Sequence, residues 1–204
     1  MASQPVASEN TIEFDSIRHR LQTGDILLFS GRSLISLLIR LFTVCRWSHI
    51  GIVVRDPGSA ALYLWEATSN NVVHDVDYGY IPRGVQLVRL EDKLRCYDGV
   101  VAVRLLTGVE RNPKLLKRFS WIFKRLRRAP YRNYVLEFLM VGLWGQRRGL
   151  QYAFCSQLVA ETYMRMRLLR PVKPSALYTP RDFSSEGTIL LRRGCLTALR
   201  IVQI

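Results

Sequence analysis

The sequence predicts an α+β fold, and three observations predict it. Up to Leu106 the chain carries short apolar segments rich in β-branched and aromatic residues, separated by turn-forming residues. Beyond Leu106 the pattern changes to helical periodicity, clearest between Asn112 and Leu126. The character of the chain thus changes along its length, from strand-like to helical. A chain of 204 residues is long enough for one domain with a sizeable core.

The elements follow in order. Residues 1–11 read as a disordered lead, and residues 12–204 as a single domain. Phe14 to Leu21 fits a short helix. "TGD" at 23–25 turns the chain into an apolar strand, Ile26 to Phe29. Ser33 is placed to cap a helix over Leu34 to Phe42. His49 to Arg55 and Ala61 to Ala67 form a hairpin around the turn "DPGS". Further strands are expected at Val85 to Leu90 and Val100 to Leu106.

A basic helical segment occupies 107–150. Asn112 suits an N-cap and Pro113 the first helical position. Leu115, Phe119, Ile122 and Leu126 recur on one helical face. Tyr134 to Trp144 predicts a second helix. Cys155 to Leu168 predicts a third, with Leu158, Val159, Thr162 and Met166 on one side. Thr179 and Pro180 start a short helical turn, and Leu196 to Val202 ends the chain as a strand.

Composition excludes several classes. Apolar residues make up 49% and charged residues 23%, so the chain is not disordered. Charges at Arg32, Arg40, Arg46 and Glu137 interrupt every apolar run before it reaches the roughly 20 residues of a spanning helix. "MASQPVASEN" has neither a basic start nor an apolar stretch, so no secretory signal is expected. Four scattered cysteines include no Cys-x-x-Cys pair, so no metal or other cofactor is implied. Few cysteines and no signal suit a reducing, cytoplasmic setting.

The net charge of +14 points to an anionic partner. Between Arg111 and Arg132 stand nine Lys or Arg and no Asp or Glu. Lys117, Arg118, Lys124 and Arg125 are the candidate contacts with an anionic membrane surface. The competing reading is a solvated basic face on a helix whose apolar side is core. A nucleic-acid-binding module is a third reading, but no nucleic-acid motif accompanies the charge.

"RWSHIGIVV" sets His49 at the mouth of an apolar strand that needs no polar group. A hairpin centred on Pro57 and Gly58 places Glu66 directly opposite His49, on the same face. The carboxylate can then fix the imidazole tautomer and steady the imidazolium, leaving one ring nitrogen free for a nucleophile. "GLQYAFCSQLVAETY" supplies Cys155 at a helix start, where the positive end of the helix dipole favours a thiolate. Each residue alone has an ordinary structural explanation: a core histidine, a small buried thiol, a strand-end glutamate. Together they fit a cysteine nucleophile with its base. Glu161, on the cysteine's own helix, is poorly aimed to orient His49.

The ordered motifs "TGDILLFSGRS", "WSHIGIVV", "LWEATS", "FCSQLVAETY" and the late "YTPRDF" resemble the permuted branch of the NlpC-like papain-fold superfamily. The resemblance runs from about Gly24 to Phe183. It is nearest the bacterial YiiX-like proteins and their poxviral relatives, and more distant from the lecithin:retinol acyltransferase-like proteins. It implies a circularly permuted papain-like fold: a small antiparallel sheet with the nucleophile helix packed across it. It also implies that Cys155 is nucleophile, His49 base and Glu66 the orienting residue. The expected function is a cysteine hydrolase or acyltransferase working through a thioester acyl-enzyme, on a lipid or acylated substrate at a membrane surface. The alternative is a thiol peptidase or amidase.

Overall fold

The structure is a computed structural model that describes residues 11–33, 36–37, 40–41, 44–68, 73–80, 83–127, 129 and 155–204. The predicted helix at Tyr134 to Trp144 and most of the disordered lead lie outside the described residues.

The strand Ile26–Gly31 (β2) is buried at all six positions because both its faces are covered. Ile26 and Leu28 point into one core, Leu27 and Phe29 into another. Around it the chain builds a sheet of seven strands: Thr11–Glu13 (β1), β2, His49–Arg55 (β3), Leu62–Thr68 (β4), Gly84–Arg89 (β5), Gly99–Arg104 (β6) and Arg200–Gln203 (β9). Leu106–Thr107 (β7) and Cys195–Leu196 (β8) pair separately. Across the sheet the order is β1-β9-β6-β2-β3-β4-β5, and every neighbouring pair except β1 with β9 is antiparallel. The α+β class therefore holds, but the sheet is neither small nor wholly antiparallel. β1 runs parallel to the last strand, and Thr11, assigned to the lead by the sequence, is its first residue.

Helices cover both faces. Phe14–Ile17 (α1) and Leu90–Cys96 (α2) pack on the core of Leu27, Phe29, Val53 and Leu64. Pro113–Leu126 (α3) and Cys155–Arg165 (α4) pack on the core of Ile26, Ile52 and Trp65. Pro180–Phe183 (α5) closes the end of that core with Phe183, and Thr179 and Asp182 form its capping box.

The start of α3 lies where the sequence puts it. Asn112 Oδ1 accepts from Leu115 N at 3.0 Å, and Pro113 opens the helix. Leu115, Phe119, Ile122 and Leu126 are all buried. Phe119 and Phe123 pack on Trp65 of β4 with ring centroids 5.6 and 5.3 Å away. The apolar face of α3 is thus core, not a face free to enter a bilayer. Asn112→Ala should lower unfolding free energy by about 1 kcal/mol, read from urea melts with an unchanged m-value.

Candidate active site

His49 opens β3, and its ring lies 5.5 Å from that of Phe29, its partner on β2. Glu66 lies in β4, wholly buried. The hairpin is one step off the predicted register. Ile52 opposes Trp65, and Asp56 N donates to Ala61 O at 2.9 Å, so the loop is centred on Gly58–Ser59 instead of Pro57–Gly58. Each partner moves by two residues, which keeps its face. Glu66 therefore stands diagonal to His49, next to Gly51. That glycine matters: a Cβ there would come within 2.7 Å of Leu64 Cδ1 and 3.3 Å of Glu66 Cβ. The long side chains cross the diagonal, and His49 Nε2 meets Glu66 Oε2 at 2.6 Å.

Sequence reasoning missed the other side of the carboxylate. Glu66 Oε1 accepts from Lys93 Nζ at 2.6 Å and from Gln86 Nε2 at 2.6 Å. Gln86 is the direct cross-strand partner of Glu66 on β5. Lys93 comes from α2, only 5% exposed, with Leu90 and Leu94 buried beside it. Its ammonium also lies 5.9 Å above the Phe29 ring. A buried carboxylate with two cations and an amide around it has its hydrogen-bonding capacity well used.

The electrostatics follow from this chain of charges. Burial opposes ionisation of Glu66, but Lys93 and then His49 outweigh it and hold the carboxyl down at about 2. Burial likewise opposes the imidazolium. The Glu66 charge, with a hydrogen bond to Cys155 next, overcomes it and raises His49 from 6.5 to about 9. At neutral pH the ring is therefore an imidazolium. Nε2 is taken by Glu66, which leaves Nδ1 for the thiol.

Cys155 is the first residue of α4 and 6% exposed. His49 opens β3 and Cys155 opens α4, two elements that pack together, and Cys155 is among the groups that act on the His49 ring. Ser156 Oγ donates to Tyr178 O at 2.6 Å and anchors this end of the helix. Leu158, Val159, Thr162 and Met166 are buried, as their spacing predicts. Glu161 pairs with Arg165 at 2.8 Å and takes no part in the site. All four cysteines are free thiols. Cys45 is buried, with Glu186 Oε1 3.9 Å from its sulfur, while Cys96 and Cys195 are exposed.

The basic residues of the 107–150 segment divide. Arg127 is clamped by Asp75 and Asp77, each at 2.6 Å, and Arg111 by Asp25 at 3.0 Å. Both are structural. Lys117, Lys124 and Arg125 are exposed, and Arg118 is half-buried. Trp121, 50% exposed, lies between the guanidinium groups of Arg125 and Arg165. Among the described residues no helix is long and apolar enough to cross a membrane.

No protein-family model matches the chain, and no curated protein does. A solved structure does: the metalloprotein YiiX of Escherichia coli O157:H7, described as DUF1105. It is 18% identical, covers 90% of this chain and 97% of its own, and superposes with a TM-score of 0.51. The metal belongs to that protein's description. Among the described residues here, no three His, Cys, Asp or Glu side chains are arranged to hold a metal ion. At Glu66 an ammonium and an amide already occupy the oxygen that His49 leaves over, so the site does not fit one. What the chain shares with YiiX is the fold.

Proposed function

We propose that the chain is a cysteine-dependent hydrolase or acyltransferase of the permuted papain-like kind. The observation that carries this is the pairing of His49 Nε2 with the buried Glu66 carboxylate at 2.6 Å, with Cys155 at a helix start among the groups acting on the ring. Lys93, Glu66 and His49 together carry one positive charge in excess. The Cys155 sulfur is the nucleophile of the proposed reaction.

The reaction begins with attack of the Cys155 sulfur on an ester, thioester or amide carbonyl. The Cys155 backbone N–H, at the helix N-terminus, faces the developing oxyanion. His49 gives its Nδ1 proton to the leaving group as the tetrahedral intermediate collapses to a thioester. Water or an acceptor then resolves the thioester, with the neutral ring taking a proton from it. Glu66 stays ionised throughout and Lys93 keeps it so.

For the substrate, a lipid or acyl chain at an anionic surface is favoured by the exposed Lys117, Lys124 and Arg125. They lie on α3, which packs against the nucleophile helix. The test is mass spectrometry of intact protein after exposure to a lipid extract. An added acyl mass on the wild type, absent from Cys155→Ala, is the expected result. A peptidyl adduct in place of an acyl chain would move the substrate to the amide class, and no adduct from either source would remove the reading.

The surface has its own test. Replacing Lys117, Arg118, Lys124 and Arg125 with Glu should abolish flotation with anionic liposomes, because each basic residue near such a surface contributes about 1 kcal/mol. Melting temperature should change little. Wild-type protein that does not float at low salt would leave α3 with a solvated face only.

A further inference from the structure

Several arginines of this fold have a visible partner. Arg127 has Asp75 and Asp77, Arg111 has Asp25, Arg165 has Glu161, and Arg104 donates to four backbone carbonyls. Arg118, Arg167 and Arg193 are different. They come from three separate parts of the chain and converge, and among the described residues none of them pairs with an acidic side chain.

The backbone holds them there. Arg118 lies on the second turn of α3. Arg167 stands at the corner just past α4, with φ of 59°, a left-handed conformation that is strained for a residue with a Cβ. Arg193 is brought alongside by the returning chain: Arg192 N donates to Leu168 O at 2.6 Å, and Leu191 bridges Leu169. The next residue, Gly194, has φ of 67° and no room for a Cβ, which would lie 2.4 Å from Thr107 O. Gly108 faces it, and a Cβ there would lie 3.4 Å from Gly194 Cα. Beside these glycines is a groove of about 380 Å³ lined by Lys114, Arg118 and Arg193, with Glu110 its one acidic residue among the described residues.

We propose that Arg118 and Arg193, with Lys114 at the rim and Arg167 beside Arg193, bind a phosphoryl group, at a site separate from Cys155. Converging like charges cost free energy that a bound dianion offsets. Guanidinium forks match phosphate oxygens bidentately, which a spread of lysines does not do. The field of the neighbours is felt: after burial, Arg167 and Arg193 are the causes that hold the Arg118 guanidinium below its ordinary range. The phosphoryl group can belong to a soluble phosphate ester or to a lipid headgroup, and the chemistry is shared. The site does not depend on the cysteine chemistry.

The test measures binding in two arms. One titrates inorganic phosphate and phenyl phosphate calorimetrically, at constant ionic strength set with chloride. The other floats the protein on phosphatidylcholine vesicles with and without phosphatidic acid. Arg118→Gln and Arg193→Gln should each weaken binding about tenfold or more, and Lys124→Gln, outside the groove, should leave phosphate binding in the calorimeter unchanged. Each Gln variant relieves repulsion, so its melting temperature without phosphate should hold or rise while the phosphate-dependent increase disappears. Arg193→Lys keeps the charge but not the fork and should bind between wild type and Gln. Binding in the calorimeter assigns a soluble ester, and binding only to phosphatidic acid assigns a headgroup. Binding in neither arm, or binding that survives both Gln substitutions, overturns the site.

Discussion

Cys155→Ala is expected to abolish turnover, by about 10⁴-fold or more, while the protein stays folded. Cys155 is buried but small, so the change removes one sulfur from the core and costs about 1 kcal/mol. The other thiols provide the control. Cys96 and Cys195 are exposed, and replacing both with Ser should leave the rate unchanged. Cys45 sits in the same core as Trp47 and accepts from the Trp47 backbone N–H at 3.4 Å, so Cys45→Ala should lower the melting temperature but not the rate per folded molecule. The measurements are initial rates on an activated thioester and far-UV circular dichroism of each variant. Turnover in Cys155→Ala with a native spectrum would end the thiol mechanism.

The sequence was most legible where structure is local. Asn112 and Pro113 mark the first turn of α3 because the cap and the pre-set φ act within three residues. Thr179, Pro180 and Asp182 mark α5 for the same reason. Four residues on one face of α3 are buried because helical spacing alone aligns them. The facing of His49 and Glu66 was also readable, since strand alternation survives a two-residue slip of the register. The slip itself was not readable, because the loop Asp56–Ala61 closes one residue later than its proline and glycine suggest.

What stayed hidden is what depends on distant pairing. β1 has three residues and exists only through β9, almost the whole chain away. α2 begins at Leu90, where Arg89 gives no side-chain cap, so the helix has no local start mark and its first residue reads as the end of β5. With α2 unseen, the sequence assigns Lys93 no role. Its position between Leu90 and Leu94 on the buried face is the one mark it carries. Gln86 stands between Val85 and Leu87 in an apolar strand, and a lone amide there asks for a buried partner. Glu66 is that partner, but only the β4–β5 register brings them together.

The chain of charges through Glu66 governs the pH response. Folding that raises His49 from 6.5 to about 9 gains stability that is fully present below pH 6.5 and is lost as pH rises through about 9. Folding that holds Glu66 down at about 2 gains stability present above pH 4.5 and lost as pH falls through about 2. The attraction between the two is one attraction and counts once. Wild-type stability should therefore be flat between about pH 4.5 and 6.5 and decline on either side. Glu66→Gln removes both limbs and strands the Lys93 ammonium in the core, at a cost of about 3–5 kcal/mol. It also removes what holds the proton on His49, so burial prevails and the alkaline limb of the pH–rate profile should move well below 9. His49→Ala should abolish activity at every pH. Adding Lys93→Met to Glu66→Gln removes the stranded charge and should recover most of the lost stability, because an apolar replacement of a buried pair is close to neutral. It should not restore the alkaline limb, since no carboxylate faces Nε2. That split separates the two tasks of Glu66, closing a buried ion pair and holding the ring. An alkaline limb that stays near 9 in Glu66→Gln would mean that some other group holds the imidazolium.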